Sequence, residues 1–546
     1  MGISFDLRKI PQQYYKYLPI LPRSFDSLGL QTQKGATPYS DLLAETERVL
    51  SAFSIEYSSN AASRRADLAI RASTTSPQEL QTALTLISEM LKFSNVDIST
   101  VDRLRDLVNE RLADDDGFRA NDSGWLWKLS NAFRYQDDPL YVALNSHFTQ
   151  AHWDGRLQWL IHQPVSRSEI QRLSSFAERF VASSEGVPAD PLPTRLSQLE
   201  VTGLEKELVR YWLHNISFFP ENGRLRGLQQ LTTEVQGDLT AGPTQSIKEL
   251  MELQRLVVDR NALRVDITVD PALLADVRPM LTRFVGSIPQ VSIRQQVSKR
   301  IDGPAPIMQR IEKRVGASGD DFPWYVGLED PHSVNGGVVF SADFLGYAEL
   351  DRRSLITFLA SKLASGTGPH TFFMKTIESG LAYSNPVGSD PRNRLLMYYA
   401  DRVPDIGSLV QFVNSVAASI PDLDDASLID YTLQKAFPFQ RSMSSFADRG
   451  KNFARDIYDG NEPAKVRRFS EAILKLRDDP GLMSEVTRSG LPSIGPVLLK
   501  PEFRNVQRSQ RSIFFLVGPE RLLADAEKRL AIPRLLRMYP CDFWMD

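Results

Sequence analysis

The chain has 546 residues, 42% of them hydrophobic and 24% charged, with a formal charge of -3; this fits a soluble globular protein of roughly two to four domains and gives no electrostatic reason to expect a nucleic-acid partner. The one cysteine, Cys541, excludes an internal disulfide framework and a cysteine-based zinc cluster. The N-terminal segment has no continuous apolar core and no small-residue cleavage site, and no apolar run approaches the ~20 residues that span a bilayer. A soluble chain that does not enter a membrane by itself is expected, with its compartment open.

Ile3, Phe5 and Leu7 alternate as a strand, and after Pro11 the residues Tyr14, Tyr17, Leu18 and Leu21 take helical spacing, with Pro19 keeping any helix short. Phe53, Ile55 and Tyr57, then Leu68, Ile70 and Ala72, alternate on either side of a turn from Ser58 to Arg64, the pattern of a half-buried hairpin. Two helices follow it. The first has Ser76 as N-cap and Pro77 at N1 before Leu80, Ala83, Leu84, Ile87 and Leu91, and the second has a capping box from Ser99 to Asp102.

Gly124 to Gln163 is aromatic-rich and helical, Ser183 to Thr194 reads as a linker, and further helices fall at Leu204 to Trp212 and Gln245 to Arg260. Leu263 to Val269 is expected to be a strand and Pro271 to Val285 a helix. Ile301 to Phe322, with Gly303-Pro-Ala-Pro and Gly316-Ala-Ser-Gly, is the best boundary.

The order then repeats. Val338, Phe340, Ala342 and Phe344 form a strand, Leu355 to Leu363 a helix, Gly366 to Tyr399 a loop and hairpin, and Asp405 caps a helix carrying Leu409, Val413 and Val416 before another from about Asp424 to Phe437. Strand, helix, hairpin, helix, helix thus occurs twice, offset by roughly 320 to 340 residues, a period that fits duplicated domains. The expected fold class is α+β. It comprises two homologous domains, each an antiparallel or mixed sheet with helices packed on one face: 1–300 with a helical insertion at about 120–260, a linker at 301–325, and 326–546. A helix from Pro463 to Leu476, a buried strand at Ile513 to Val517 and a helix from Glu520 complete the second.

The histidines are His147, His152, His162, His214, His332 and His370. Neither H-E-x-x-H nor H-x-x-E-H is present, and His147 with His152 and Asp154, the nearest approach to a metal site, has a spacing of five that puts the imidazoles on diverging helix faces. G-x-S-x-G is absent and Cys541 has no histidine near it in sequence, so no catalytic residue and no metal ligand is assigned.

The stretch with the most functional content is Gly366 to Tyr399: a Gly/Pro loop, Lys375, a strand from Gly380 to Tyr383, a turn from Asn385 to Pro391, and a second strand with Leu395, Met397 and Tyr399 on one face. Its aromatics suit sheet residues packed on helices; they also suit a peptide-binding edge with Tyr383 and Lys375 facing a cavity.

The runs Gly368-Pro-His-Thr-Phe-Phe-Met-Lys-Thr, Ser379-Gly-Leu-Ala-Tyr-Ser-Asn and Tyr398-Tyr-Ala-Asp-Arg-Val-Pro-Asp405 resemble the fourth domain of pitrilysin-type inverzincin zinc metallopeptidases, closest to the presequence-protease branch. The first repeat is similar to the third domain of that family. The resemblance implies the C-terminal, non-catalytic half of a clamshell peptidase, which binds peptide substrate in a chamber closed by an N-terminal zinc-bearing partner half and itself binds no cofactor. It further implies substrate-binding roles for Tyr383, Lys375, Gly380 and Tyr399. The arginine of the family pattern would fall at Thr376 or Ile377 and is missing, leaving Lys375 as its nearest substitute. A structural or assembly subunit with an inactive peptidase fold is the alternative.

Overall fold

The first 290 residues build an antiparallel sheet from β1 (Gly2–Asp6), β4 (Ala52–Asn60), β5 (Arg65–Ser73) and β6 (Leu263–Asp266), in the order β4-β5-β1-β6; β2 (Leu30–Thr32) and β3 (Gly35–Thr37) pair separately. The computed structural model describes residues 1–121, 138–186, 192–291, 324–382, 387–418, 427–437, 445–493 and 513–545, apart from positions 34, 61, 331, 332, 367, 492 and 533.

Alternation decides which way this sheet faces. Ile3, Phe5, Leu68 and Ile70 point into one core with Leu84, Ile87 and Leu91 of the helix Pro77–Phe93, each apolar side chain contributing about 1.5–3 kcal/mol on burial. Ser4, Asp6, Asp67 and Arg71 occupy the other face. The hairpin registers Phe53 with Ala72, Ile55 with Ile70 and Tyr57 with Leu68, as the alternation requires. Ser76 caps the helix Pro77–Phe93 by accepting from Glu79 N at 3.2 Å. The cap before the helix Val101–Asn121 differs from expectation: Asp97, not Ser99, accepts from Ser99 N and closes a box with Thr100.

Between β5 and β6 the described insertion is helical, with His147–Leu160, Arg167–Ala182, Gly203–Asn215 and Arg224–Val257 as its longer members. The last kinks at Gly242, whose φ of 65° precedes Pro243.

The second sheet contains β7 (Trp324–Glu329), β8 (Gly336–Asp343), β9 (Val387–Asp390), β10 (Leu395–Val403), β11 (Ile513–Gly518) and β12 (Leu535–Met538), in the order β12-β7-β11-β8-β10-β9. It is mixed, since β7 runs parallel to β11 and β12 while the remaining pairs are antiparallel. The run β9-β10-β8-β11 reproduces β4-β5-β1-β6 in order and pairing, each followed by matching helices: Ile406–Ala418 after the hairpin as Pro77–Phe93 before, Glu520–Arg529 after the closing strand as Leu274–Ser287 before. The fold is α+β, with one strand plan used twice.

β7 and β12 are additions the sequence pattern did not show. The linker expected at 301–325 lies outside the described residues except for Trp324 and Tyr325, which belong to β7. Helices line one side of this sheet, where Phe340, Leu396, Tyr398 and Phe514 share a core with Phe358 and Leu409. On the other side Val326, Val339, Phe515 and Met538 are also buried, which is why β8 and β11 read as continuous apolar runs.

Among the described residues two regions of contact join the halves. The helix Phe446–Tyr458 lies on the polar face of the first sheet, where Arg65 Nε donates to Asp459 at 2.7 Å and Lys451 Nζ donates to Glu56 at 3.4 Å. The C-terminal segment packs on the insertion: Thr149 Oγ1 donates to the Phe543 carbonyl at 2.9 Å and Trp544 stacks on His152 with ring centroids 3.8 Å apart.

Candidate functional site

The loop after the helix Arg352–Leu363 turns at Gly366, where φ is 91° and a side chain would collide with Tyr431. Tyr431 donates to the Ser365 carbonyl at 2.7 Å, and His370 lies edge-on to its ring while Nε2 meets the Leu363 carbonyl at 3.1 Å. Burial lowers the His370 pKa. This histidine holds the loop closed on the helix end.

Thr371 then caps a helix, Phe372–Glu378, accepting from Met374 N at 3.4 Å. The strand expected from Gly380 is absent from Gly380 to Ala382: Gly380 N donates to Ile377 O and Leu381 N to Thr376 O, with Gly380 at φ 70°. This is a Schellman cap, so the glycine serves the helix end. Phe372 and Thr376 are buried, and Thr376 Oγ1 is bonded to the Phe372 carbonyl at 2.6 Å. Lys375 is half-buried, and its ammonium has no hydrogen-bond or ion-pair partner among the described residues.

The hairpin is β9 with β10, and its turn is Pro391 to Arg394, later than the expected Asn385 to Pro391. Asp390 explains the position, since its carboxylate accepts from Arg392 N at 2.9 Å and from Asn393 Nδ2 at 2.6 Å. Arg394 takes the positive φ of 52° that closes the turn.

Leu395, Met397 and Tyr399 share a face as expected, while Leu396, Tyr398 and Ala400 enter the helix-covered core. The helix carrying Lys375 packs on that core side, with Phe372 and Ala382 among its members. Tyr399, 9% exposed, points to the opposite side of the sheet. Lys375 and Gly380 are thus brought together, and Tyr399 is separated from them by the sheet; Tyr383 lies outside the described residues.

β9 ends the sheet, so an extended peptide could add there. Lys362 already engages that strand: Nζ donates to the Ser389 carbonyl at 3.0 Å and lies 4.9 Å from the Phe358 ring centroid, while Ser361 donates to Ser389 Oγ at 2.7 Å. Some of the Lys362 side chain reaches solvent, but its ammonium is desolvated; burial pushes its pKa down to about 8, opposed by the charge of Asp390. The sequence held a signal for this residue, a lysine three positions after Leu359 inside the apolar stripe of its helix.

Elsewhere, in the insertion, lies a cavity of about 460 Å³ bordered by Phe148, His152, Trp159, Tyr211, His214 and Trp544. The histidines considered for metal do not converge there. Asp154 is committed to Arg111 through bonds of 2.9 to 3.1 Å, His152 Nε2 meets Glu234 at 3.1 Å, and His147 packs by Phe148. Cys541 is a buried member of the neighbouring apolar cluster. No helix among the described residues is long and apolar enough to cross a membrane.

No family model and no curated protein matches the chain. Among solved structures it is similar to a peptidase M16 inactive domain from Pseudomonas fluorescens (10% identity, TM-score 0.45, covering 95% of this chain and 92% of that one). It is also similar to a protease from Helicobacter pylori (10%, 0.48, 95% and 93%) and to a conserved protein from Enterococcus faecalis (10%, 0.39, 95% and 93%). All three TM-scores lie below 0.5, so the functional reading rests on the residues and topology of this chain.

Proposed function

We propose that the chain is the non-catalytic half of a pitrilysin-type zinc metallopeptidase, binding peptides in a chamber completed by a zinc-bearing partner half. The observation that carries this reading is the repeated strand plan, β4-β5-β1-β6 and then β9-β10-β8-β11, with the run from Gly368 to Asp405 placed at the same hairpin of the second copy. Fold alone does not specify function, so the weight falls on that run. Tyr383 orients the substrate, Lys375 contributes a free ammonium, and Gly380 sets the end of the helix from which the chain leads to Tyr383. Zinc belongs to the partner half.

The test is peptide cleavage by this chain with and without an H-x-x-E-H half. The chain alone should be inactive and free of stoichiometric zinc, and the reconstituted pair should cleave. Tyr383→Phe should lower the turnover of the pair about a hundredfold to a thousandfold by removing one hydrogen-bond donor. Partner-independent, chelator-sensitive cleavage would refute the proposal.

One observation favours the second reading, an assembly subunit that has lost the chemistry. Neither position at which the family pattern allows its arginine supplies a guanidinium: Thr376 is fully buried with its hydroxyl bonded inside the helix, and Ile377 is an exposed apolar side chain. Unchanged turnover of the pair carrying Tyr383→Phe points to that reading.

A further inference from the structure

The polar face of the first sheet meets the helix Phe446–Tyr458 through charges that can be paired off one by one. Asp67, fully buried, takes Arg65 at 3.1 Å and Arg264 at 3.0 Å; Asp6 takes Arg8 and Arg264. Asp459 takes Arg65, Asp266 takes Arg71 at 3.0 Å together with the Tyr458 hydroxyl at 3.1 Å, and Glu56 takes Lys451. From the turn of the second hairpin, Arg392 reaches Asp456 at 2.8 Å. Every carboxylate named is therefore committed. Each cation named so far is likewise committed, and the Met1 ammonium, which lies in the field of Asp266, donates to the Ala72 carbonyl at 2.7 Å.

Arg455 is the cation left over. It stands one helical turn after Lys451 and one before Asp459, on the side of the helix that faces the sheet, and makes no side-chain hydrogen bond or ion pair among the described residues. Its Nε is wholly buried. Burial and the like charges of Arg71, Arg65 and Arg392 all act against its own charge, opposed by Glu56. A partly buried guanidinium held among other arginines with no counter-ion is costly unless an anion from outside completes it. The residue itself is only partly covered, so a ligand can reach it.

We infer that Arg455 is a binding site for one oxyanion of a ligand, a carboxylate or a phosphate-class group. The planar fork of a guanidinium suits either bidentately. The like charges around it stand on β5 and the β9–β10 turn, and so on both halves of the repeat.

The test uses the full chain and reads its thermal midpoint in chloride and in sulfate at equal ionic strength, then with N-acetyl-dialanine and with its amide. Because sulfate stabilises proteins generally, the informative quantity is the difference between wild type and Arg455→Gln. Wild type should gain more from sulfate than the variant does, and Arg455→Gln should weaken binding of the responding anion at least about tenfold. A response to the acid but not the amide identifies the ligand as a peptide carboxylate; a response to sulfate alone identifies it as an inorganic or phosphate-class oxyanion.

In low salt without oxyanion, Arg455→Gln should unfold at or above the wild-type midpoint, whereas Arg71→Gln, which strands Asp266, should unfold below it. An equal sulfate response in wild type and Arg455→Gln, or a low-salt loss for Arg455→Gln as large as for Arg71→Gln, would overturn the inference.

Discussion

Replacing Lys362 by methionine isolates the buried ammonium under the edge strand. The fall of its pKa from the ordinary 10.5 to about 8 corresponds to about 3 kcal/mol by which the folded chain disfavours the charged form. The sign follows from proton counting. The folded state releases this proton near pH 8 and the unfolded chain near 10.5, so between those values the unfolded chain holds more protons and stability rises with pH. Wild type should therefore gain about 2.5 kcal/mol from this group between pH 7 and pH 10, whereas Lys362→Met has no such gain.

At pH 7 the variant loses the bond to the Ser389 carbonyl, worth about 1.5–3 kcal/mol, and is relieved of the desolvated charge, so its net stability stays near that of wild type. At pH 10 it falls behind. Urea unfolding of both proteins across this range measures the difference, which cancels the tyrosines that titrate in both. A wild-type minus variant difference that is flat to within about 0.5 kcal/mol would show that the ammonium is solvated and that Lys362 does not block the edge.

Two further substitutions probe the surrounding structure. Gly380→Ala forces a side chain into φ 70° and should cost about 1 kcal/mol in denaturant, while Gly388→Ala on β9, where a Cβ meets nothing within 4 Å, serves as the neutral control; equal effects would remove the Schellman cap from the account. Arg65→Met leaves the buried Asp67 and Asp459 undercompensated and should destabilise the chain by about 3–5 kcal/mol, and a loss below about 1 kcal/mol would mean that the bond between the halves is not made in solution.

The first sheet was legible because one of its faces is polar: Glu56, Asp67 and Arg71 alternate with Ile55, Leu68 and Ile70, and the period of two is written in the residues. In the second sheet both faces are buried, so Val338, Val339 and Phe340, or Phe514, Phe515 and Leu516, show a strand without showing its sides. β7 and β12 are short runs of this kind and left no pattern to detect. The helix Phe372–Glu378 reads as loop in the sequence, since its seven residues are too few to display a period and only its ends, Thr371 as N-cap and Gly380 as C′, mark it. The pairing of Arg65 with Asp459 spans 394 positions and has no local trace at all.

Parity also decides which tyrosine lies on the Lys375 side of the sheet. Tyr398 and Tyr399 are adjacent, and only one of them can share a side of the sheet with Lys375. On a strand apolar on both faces the choice between them is a matter of parity, fixed by pairing with β8, where Tyr398 opposes Phe340 and Tyr399 opposes Val339. A one-residue slip in that register would exchange the two tyrosines. Since Phe340 is anchored among Phe514 and Phe358 in the helix-covered core, the slip is closed off, and Tyr398 becomes a core residue while Tyr399 leaves the site. The described residues on the Lys375 side are therefore Lys375 and Gly380 themselves, with Lys362 bonded to the edge strand β9 through the Ser389 carbonyl.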